Sequence, residues 1–295
     1  MNVTMKIAFC FSGQPRTWEK CLPTWRKFEK RLSNILGAEV DYFCHAWNFN
    51  TPPHAVLAAD DGPSKDIVDD YLTVKGVELE STELRNFINS INPVDFVLED
   101  EVISKSRVKE VRAWAELHKP VHGGTSLEWA ASQFYAVMYA AHLKKKYEVE
   151  NNFRYDMVYR MRYDLFLDDH QLEWFFDDRS GDFNIPKFNH FYSCHTARDN
   201  SQFPFHRMGD IFWYADSITF DRICDFYRYL PIIGNRCFPM GGRVGTEHAL
   251  YFYAKMLRME VQPISIDPKI YRQSSYIDWK RKAGLEESIG GHELI

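Results

Sequence analysis

Apolar positions recur with two different rhythms along this chain. Met5 to Ser12 (MKIAFCFS) is a continuous apolar run closed by Gly13, the pattern of a strand buried on both faces and ended by a turn. Beyond Gly13-Gln14-Pro15-Arg16 the period lengthens. Trp18, Cys21, Leu22, Trp25, Phe28, Leu32, Ile35 and Leu36 recur at helical spacing, and Gly37 supplies the stop. Pro23 fits the first turns of that helix or a kink in it. Val40 to His45 (VDYFCH) predicts a second strand, so the chain opens as strand, helix, strand, the unit of parallel sheets.

From Asn48 to Asn92 the sequence is polar, acidic and broken by Pro and Gly, with one short helix expected from Thr82 to Ile91. Asp95 to Leu98 reads as a third strand, and the charged stretch to Lys119 shows weaker organisation. Thr125-x-x-Glu128 is a capping-box pattern ahead of Leu127, Ala130, Ala131, Phe134, Val137, Met138, Ala141 and His142, which share one helical face. Asp156 to Leu167 (DMVYRMRYDLFL) predicts a strand, as do Gly209 to Ala215 and Val261 to Ile266, with a helix from Thr246 to Leu257. Phe188 to Met208 reads as a loop that recognises an acceptor. These elements predict one α/β domain over residues 1–295 with a mostly parallel sheet. Residues 1–167 form a nucleotide-binding half and 168–295 an acceptor half.

Composition narrows the function. With 295 residues, 45% hydrophobic and 26% charged, the chain can bury one substantial core. A formal net charge of -5 argues against nucleic acid as a partner, because phosphate-backbone binders carry a basic surplus. No run reaches the roughly 18 apolar residues of a spanning helix, and no signal-peptide pattern opens the chain, so the expectation is a cytoplasmic protein without a transmembrane segment. The six cysteines are scattered and read as reduced core residues. Aromatic residues reach 16%, which suits either stacking on sugar rings or a large aromatic core.

The segment richest in chemistry is Tyr159 to Asp164. Strand alternation sends Arg160, Arg162 and Asp164 to one face and Tyr159, Met161 and Tyr163 to the other. Such charges are tolerated at the carboxyl edge of a sheet, where α/β ligands bind, and arginines there suit bidentate phosphate contacts. A structural Arg–Asp network is the alternative. The turn Ser12-Gly13-Gln14-Pro15-Arg16 allows close backbone approach by a nucleotide at a helix start. It matches neither a G-x-x-x-x-G-K-[ST] loop nor a G-x-G-x-x-G fingerprint. His45 and Trp47 end the second strand and are candidates for base or sugar contact. Asp210 and Glu247 are the candidate carboxylates for the reacting end of a sugar. His190, His195 and His206 match no zinc spacing.

The order of Ile7 to Arg16, Asp41 to Trp47, the helix with Ser132-Gln133-Phe134-Tyr135, Tyr155 to Leu167, Gly209-Asp210 and the Glu247 helix resembles that of GT-A glycosyltransferases. The likeness is to the type that builds bacterial and viral surface polysaccharides. It implies a GT-A-like three-layer sandwich that transfers a sugar from a UDP- or GDP-sugar donor to a glycan or other hydroxyl acceptor. In that family an Asp-X-Asp motif after the fourth strand grips Mn²⁺ or Mg²⁺ and the donor diphosphate. Arg162-Tyr163-Asp164 takes that place here, with arginine at the first acidic position. By resemblance, either Asp164 holds the metal with a water and the diphosphate, or Arg160 and Arg162 neutralise the leaving group without one. His292, in the tail, is the counterpart of a late metal-binding histidine. A sugar nucleotidyltransferase and a non-catalytic carbohydrate- or nucleotide-binding module are the alternative functions.

Overall fold

The computed structural model describes residues 4–15, 17–50, 77–118, 125–177, 183–194, 209, 211–237, 246–264 and 269–270. Strand β1 (Lys6–Gly13) leads into helix α1 (Trp18–Leu36), and β2 (Glu39–Trp47) lies parallel to β1. After a small pair formed by β3 (Phe49–Asn50) and β4 (Val77–Glu78) come α2 (Ser81–Ile91), β5 (Asp95–Glu99), α3 (Glu101–His118) and α4 (Thr125–Glu150). Next are β6 (Met157–Met161), β7 (Leu165–Phe166), α5 (Asp169–Phe175), β8 (His190–Cys194) and β9 (Trp213–Ala215). Helices α6 (Ser217–Cys224), α7 (Phe226–Cys237) and α8 (Thr246–Met256) precede β10 (Glu260–Ile264) and the short β11 (Lys269–Ile270).

Seven strands form one sheet in the order β10-β8-β9-β6-β1-β2-β5. Six run parallel, and β9 is antiparallel to both its neighbours. Strands from both sequence halves therefore hydrogen-bond into one sheet. Strand alternation divides the core between two faces. On one face Ile7, Phe9 and Phe11 join Met157, Tyr159 and Met161 against α1, α2 and α5. On the other, Ala8, Cys10, Phe43 and Val158 pack against α4, α6, α7 and α8. The result is a three-layer α/β/α arrangement.

The helix starting at Trp18 buries Trp18, Cys21, Trp25, Phe28 and Leu32, contains Pro23, and ends at Gly37 with φ 62°. Only glycine holds that left-handed stop without strain. Ala131, Phe134, Val137 and Ala141 of α4 point into the core as the periodicity predicts, whereas the capping-box side chains lie outside the described residues. Most of the described aromatic residues are core. Phe9 stacks on Phe28 at 5.5 Å, and Tyr192 stacks on Tyr214 at 4.7 Å, beside Tyr159.

Three expectations need correction. The chain from Asp156 to Leu167 is not one strand: it leaves the sheet after Met161, turns through a Leu165 N–H to Arg162 carbonyl bond of 3.2 Å, and pairs again as β7 with β11. The region expected as a loop from Phe188 contains β8, whose aromatic residues fill the sheet between β9 and β10, while 195–208 lie outside the described residues. The weakly organised charged stretch before Lys119 is α3, which packs along α4. Helices α5, α6 and α7 were also not legible as elements. Among the described residues no helix is long and apolar enough to cross a membrane.

Candidate functional site

Helices that connect parallel strands carry their amino termini to the carboxyl edge of the sheet. Strand β1 hands its chain to β2 on one side and has β6 on the other, so the strand order reverses between the carboxyl ends of β1 and β6, where open α/β sheets form a crevice. That reversal is the usual ligand position in open α/β sheets. The β1 turn occupies it: Gly13 has φ 117°, and no described atom lies within 4 Å of the position a Cβ would take. Thr17, at the start of α1, also has positive φ, 56°. Gly13 adopts its positive φ freely, whereas Thr17, a β-branched residue, is strained there, and such strained residues cluster at functional sites. Gln14 is half-buried, and Arg16 lies outside the described residues.

Across the crevice, β6 ends with the arginines. Arg160 is buried in the sheet, 1% exposed, and its Nη1 donates to the Ile211 carbonyl at 2.6 Å. Arg162 and Asp164 bind each other bidentately, Nε to Oδ1 at 2.7 Å and Nη2 to Oδ2 at 2.8 Å. Tyr163 still joins Tyr159 and Met161 in the core, but the turn carries Asp164, 3% exposed, toward α1. There its charge adds to burial in pushing the Cys21 thiol up to about 12. The three charges thus split into a buried anchor and an ion pair at the strand end, rather than a single row.

The far side of the crevice is aromatic and acidic. Ser12 and His45 are register partners on β1 and β2, and His45 Nε2 lies 2.8 Å from Glu99 Oε2 at the end of β5. Tyr135 of α4 donates its hydroxyl to Glu99 Oε1 at 3.0 Å. Burial first, then Tyr139 and Glu99, raise the Tyr135 phenol far above its ordinary value, which keeps its proton in place. Arg107 stacks over the Tyr135 ring at 4.7 Å. Trp47 lies 2% exposed between His45 and Tyr135, so it builds the wall of this cluster. Three atoms of this group, Ser12 Oγ, His45 Nδ1 and Arg107 Nε, are buried without a hydrogen-bond partner among the described residues. Each unmade buried bond costs about 1–3 kcal/mol.

The remaining candidates separate. Asp210 and His292 lie outside the described residues, as do His195 and His206. Asp210 is flanked by Gly209, whose N–H donates to the Cys194 carbonyl at 2.9 Å, and by Ile211, which accepts from Arg160. A Cβ on Gly209 would sit 2.3 Å from Cys194 Sγ, so only glycine fits there. Glu247 falls in the first turn of α8, though its side chain is outside the described residues. His190 begins β8 at the opposite, amino edge, where it meets Glu260 at 3.2 Å. Glu99 and Tyr135 were not singled out as site residues, because a carboxylate after a short strand and a tyrosine on a core helix carry no motif.

A divalent cation does not fit the described residues. Both Asp164 oxygens already accept from Arg162, and among the described residues no group of three or more His, Cys, Asp or Glu side chains could hold a metal. No protein-family model matches the chain, and no curated protein matches it significantly.

Proposed function

We propose that this protein is a glycosyltransferase that takes its sugar from a nucleotide diphosphate donor bound in the crevice between β1 and β6. The observation that carries this reading is the meeting of an open glycine turn and a paired arginine at the two strand ends flanking the sheet's reversal point. The sheet supports the resemblance in one further respect. By chain order β6 is its fourth strand, and Arg162-Tyr163-Asp164 follows that strand directly.

In this reading Arg162, held in plane by Asp164, presents a fixed positive charge to the diphosphate. Preorganised charge of this kind stabilises a leaving group as negative charge develops on it. Asp164 acts as the positioning carboxylate, and no metal step is derived. Glu247 or Asp210 serves the anomeric centre or the acceptor hydroxyl.

Thermal-shift measurements against UDP, GDP, CMP and the corresponding sugar nucleotides, with and without Mn²⁺, test the reading, since a ligand of the native state raises the melting temperature. Stabilisation by a nucleoside diphosphate supports it; none from any of them removes it. Asp164→Ala should lower turnover by about a hundredfold or more, as expected for a lost electrostatic contribution to the transition state, with the fold retained by circular dichroism. Full activity in that variant removes the site assignment. The engaged state of Asp164 also favours a second reading, a nucleotide-binding module, which would bind the same nucleotides and show neither transfer nor hydrolysis.

A further inference from the structure

Arg162 and Asp164 owe their places to a four-residue turn. The Leu165 N–H donates to the Arg162 carbonyl at 3.2 Å, so Arg162 and Leu165 are its ends and Tyr163 and Asp164 its central residues. Beyond it the chain pairs as β7 with β11. Two side chains tie the turn to the sheet and to α1. The indole Nε1–H of Trp25, on α1, donates to the Leu165 carbonyl at 2.7 Å. The Tyr163 hydroxyl donates to the His45 carbonyl of β2 at 3.1 Å. Both side chains are buried, and both rings lie against Phe11 of β1, at 4.6 and 5.5 Å. Bonds made away from water hold more firmly than the same bonds at a surface.

We infer that Trp25 and Tyr163 are positioning residues for Arg162, their two bonds fixing the turn that carries it relative to the Gly13 turn. Asp164 holds the guanidinium through two bonds, but Asp164 rides on the same turn. That pair therefore fixes Arg162 within its turn and not against Gly13. Placement against Gly13 comes from contacts between the turn and its neighbours, and Trp25 and Tyr163 make two of them. Trp25 stands two helical turns into α1, the helix that leaves the Gly13 turn, so its indole joins the two sides of the proposed donor site. The consequence for a donor rests on the nucleotide reading of the crevice; the tether itself does not. A charge that must face a diphosphate loses its effect when its support lets it drift, even where the support touches no ligand.

The test uses Trp25→Phe and Tyr163→Phe, which keep an aromatic ring and delete one donor each, with Phe28→Leu as a core control on α1. Two quantities are read: hydrogen exchange at the Arg162 Nε–H by nitrogen NMR of the ligand-free protein, and the ratio of UDP to uridine affinity. In the parent, Asp164 should shelter the Nε–H from exchange. Each tether variant should speed that exchange about tenfold relative to the Tyr159 amide, and lower the UDP-to-uridine ratio about tenfold, in the range of one lost hydrogen bond. Arg162 Nε–H and Tyr159 amide accelerating together, with the ratio unchanged, would mean a merely structural role and overturns the inference. An equal fall of the ratio in Phe28→Leu overturns it too. If neither UDP nor uridine binds the parent, the proposed function falls, while the exchange rates still decide the tether. The parent decides where the variants fail to fold: the Trp25 indole N–H and the Arg162 Nε–H should be comparably protected. An Arg162 Nε–H that exchanges freely beside a protected indole overturns the inference.

Discussion

The same sheet face carries two polar clusters, one toward each edge, and they are built on opposite principles. Toward the amino ends of β1 and β6, Lys144 of α4 is fully buried and meets Glu148 at 3.0 Å, Asp221 at 2.8 Å and the Ser217 hydroxyl. Glu148 in turn accepts from Ser217 and from the Tyr155 N–H at 2.8 Å. Burial opposes the charge on Lys144, but Asp221 and Glu148 overcome it and its pKa rises. Burial also raises the Asp221 pKa, with Lys144 pulling the other way. Every charge there faces an opposite charge inside the chain. At the carboxyl edge the Glu99 carboxylate is likewise bonded on both oxygens, yet Ser12 Oγ and His45 Nδ1 are left over. A closed cluster holds a fold together, whereas buried polar atoms left over are uncommon in a folded chain and weaken the region that carries them.

The contrast can be broken most severely at the closed end. Lys144→Met leaves two carboxylates buried without their cation, and equilibrium denaturation should show a loss of about 3–5 kcal/mol, the range for breaking a buried ion pair. A loss under 1 kcal/mol would mean that this cluster is no more structural than the open one. Gly13→Ala at the open end should cost about 1–3 kcal/mol through backbone strain alone, because φ 117° is disfavoured for a side chain although space is available. It should also weaken nucleotide binding, which a purely structural turn would not do. Ser12→Ala sharpens the comparison in the other direction, since removing an unpartnered hydroxyl should leave stability within about 0.5 kcal/mol of the parent, as near-neutral substitutions do.

Alkaline pH gives the smallest and most diffuse effect. Burial pushes Cys21 and Cys44 from 9.0 to about 12, with Asp164 adding to the shift at Cys21. Their folded-state pKa values exceed the unfolded ones, so the stability they contribute is complete below pH 9 and is lost as pH climbs from 9 toward 12. Urea midpoints measured across that window should fall, and Cys44→Ala should flatten the slope. A slope that Cys44→Ala leaves unchanged would show that this thiol ionises alike in both states.

Much of the fold was written in local patterns. The run from Met5 to Ser12, the helical spacing from Trp18 and the α4 stripe each specify an element through the period of their apolar residues; the structure places the first two within a residue and carries α4 eight residues past His142. Local pattern misled where the sheet supplies the partners. The five residues His190 to Cys194 become a strand because β9 and β10 flank them, and Asp156 to Leu167 splits because its carboxyl half leaves the sheet. Sequence period also carried the alternation that buries Tyr159, Met161 and Tyr163 together. It could not extend that alternation to Asp164, because a turn resets the direction of every later side chain.

By itself the sequence determined the α/β class, the parallel opening unit and the turn at Gly13, since each depends on residues near one another in the chain. Only the tertiary structure decided that Arg162 closes on Asp164, that Glu99 and Tyr135 bracket His45, and that Ser12 and His45 keep unmade bonds side by side. Hydrogen-bond satisfaction is a property of neighbours in space, and these neighbours come from β1, β2, β5 and α4, which are separated along the chain by up to 123 residues between Ser12 and Tyr135.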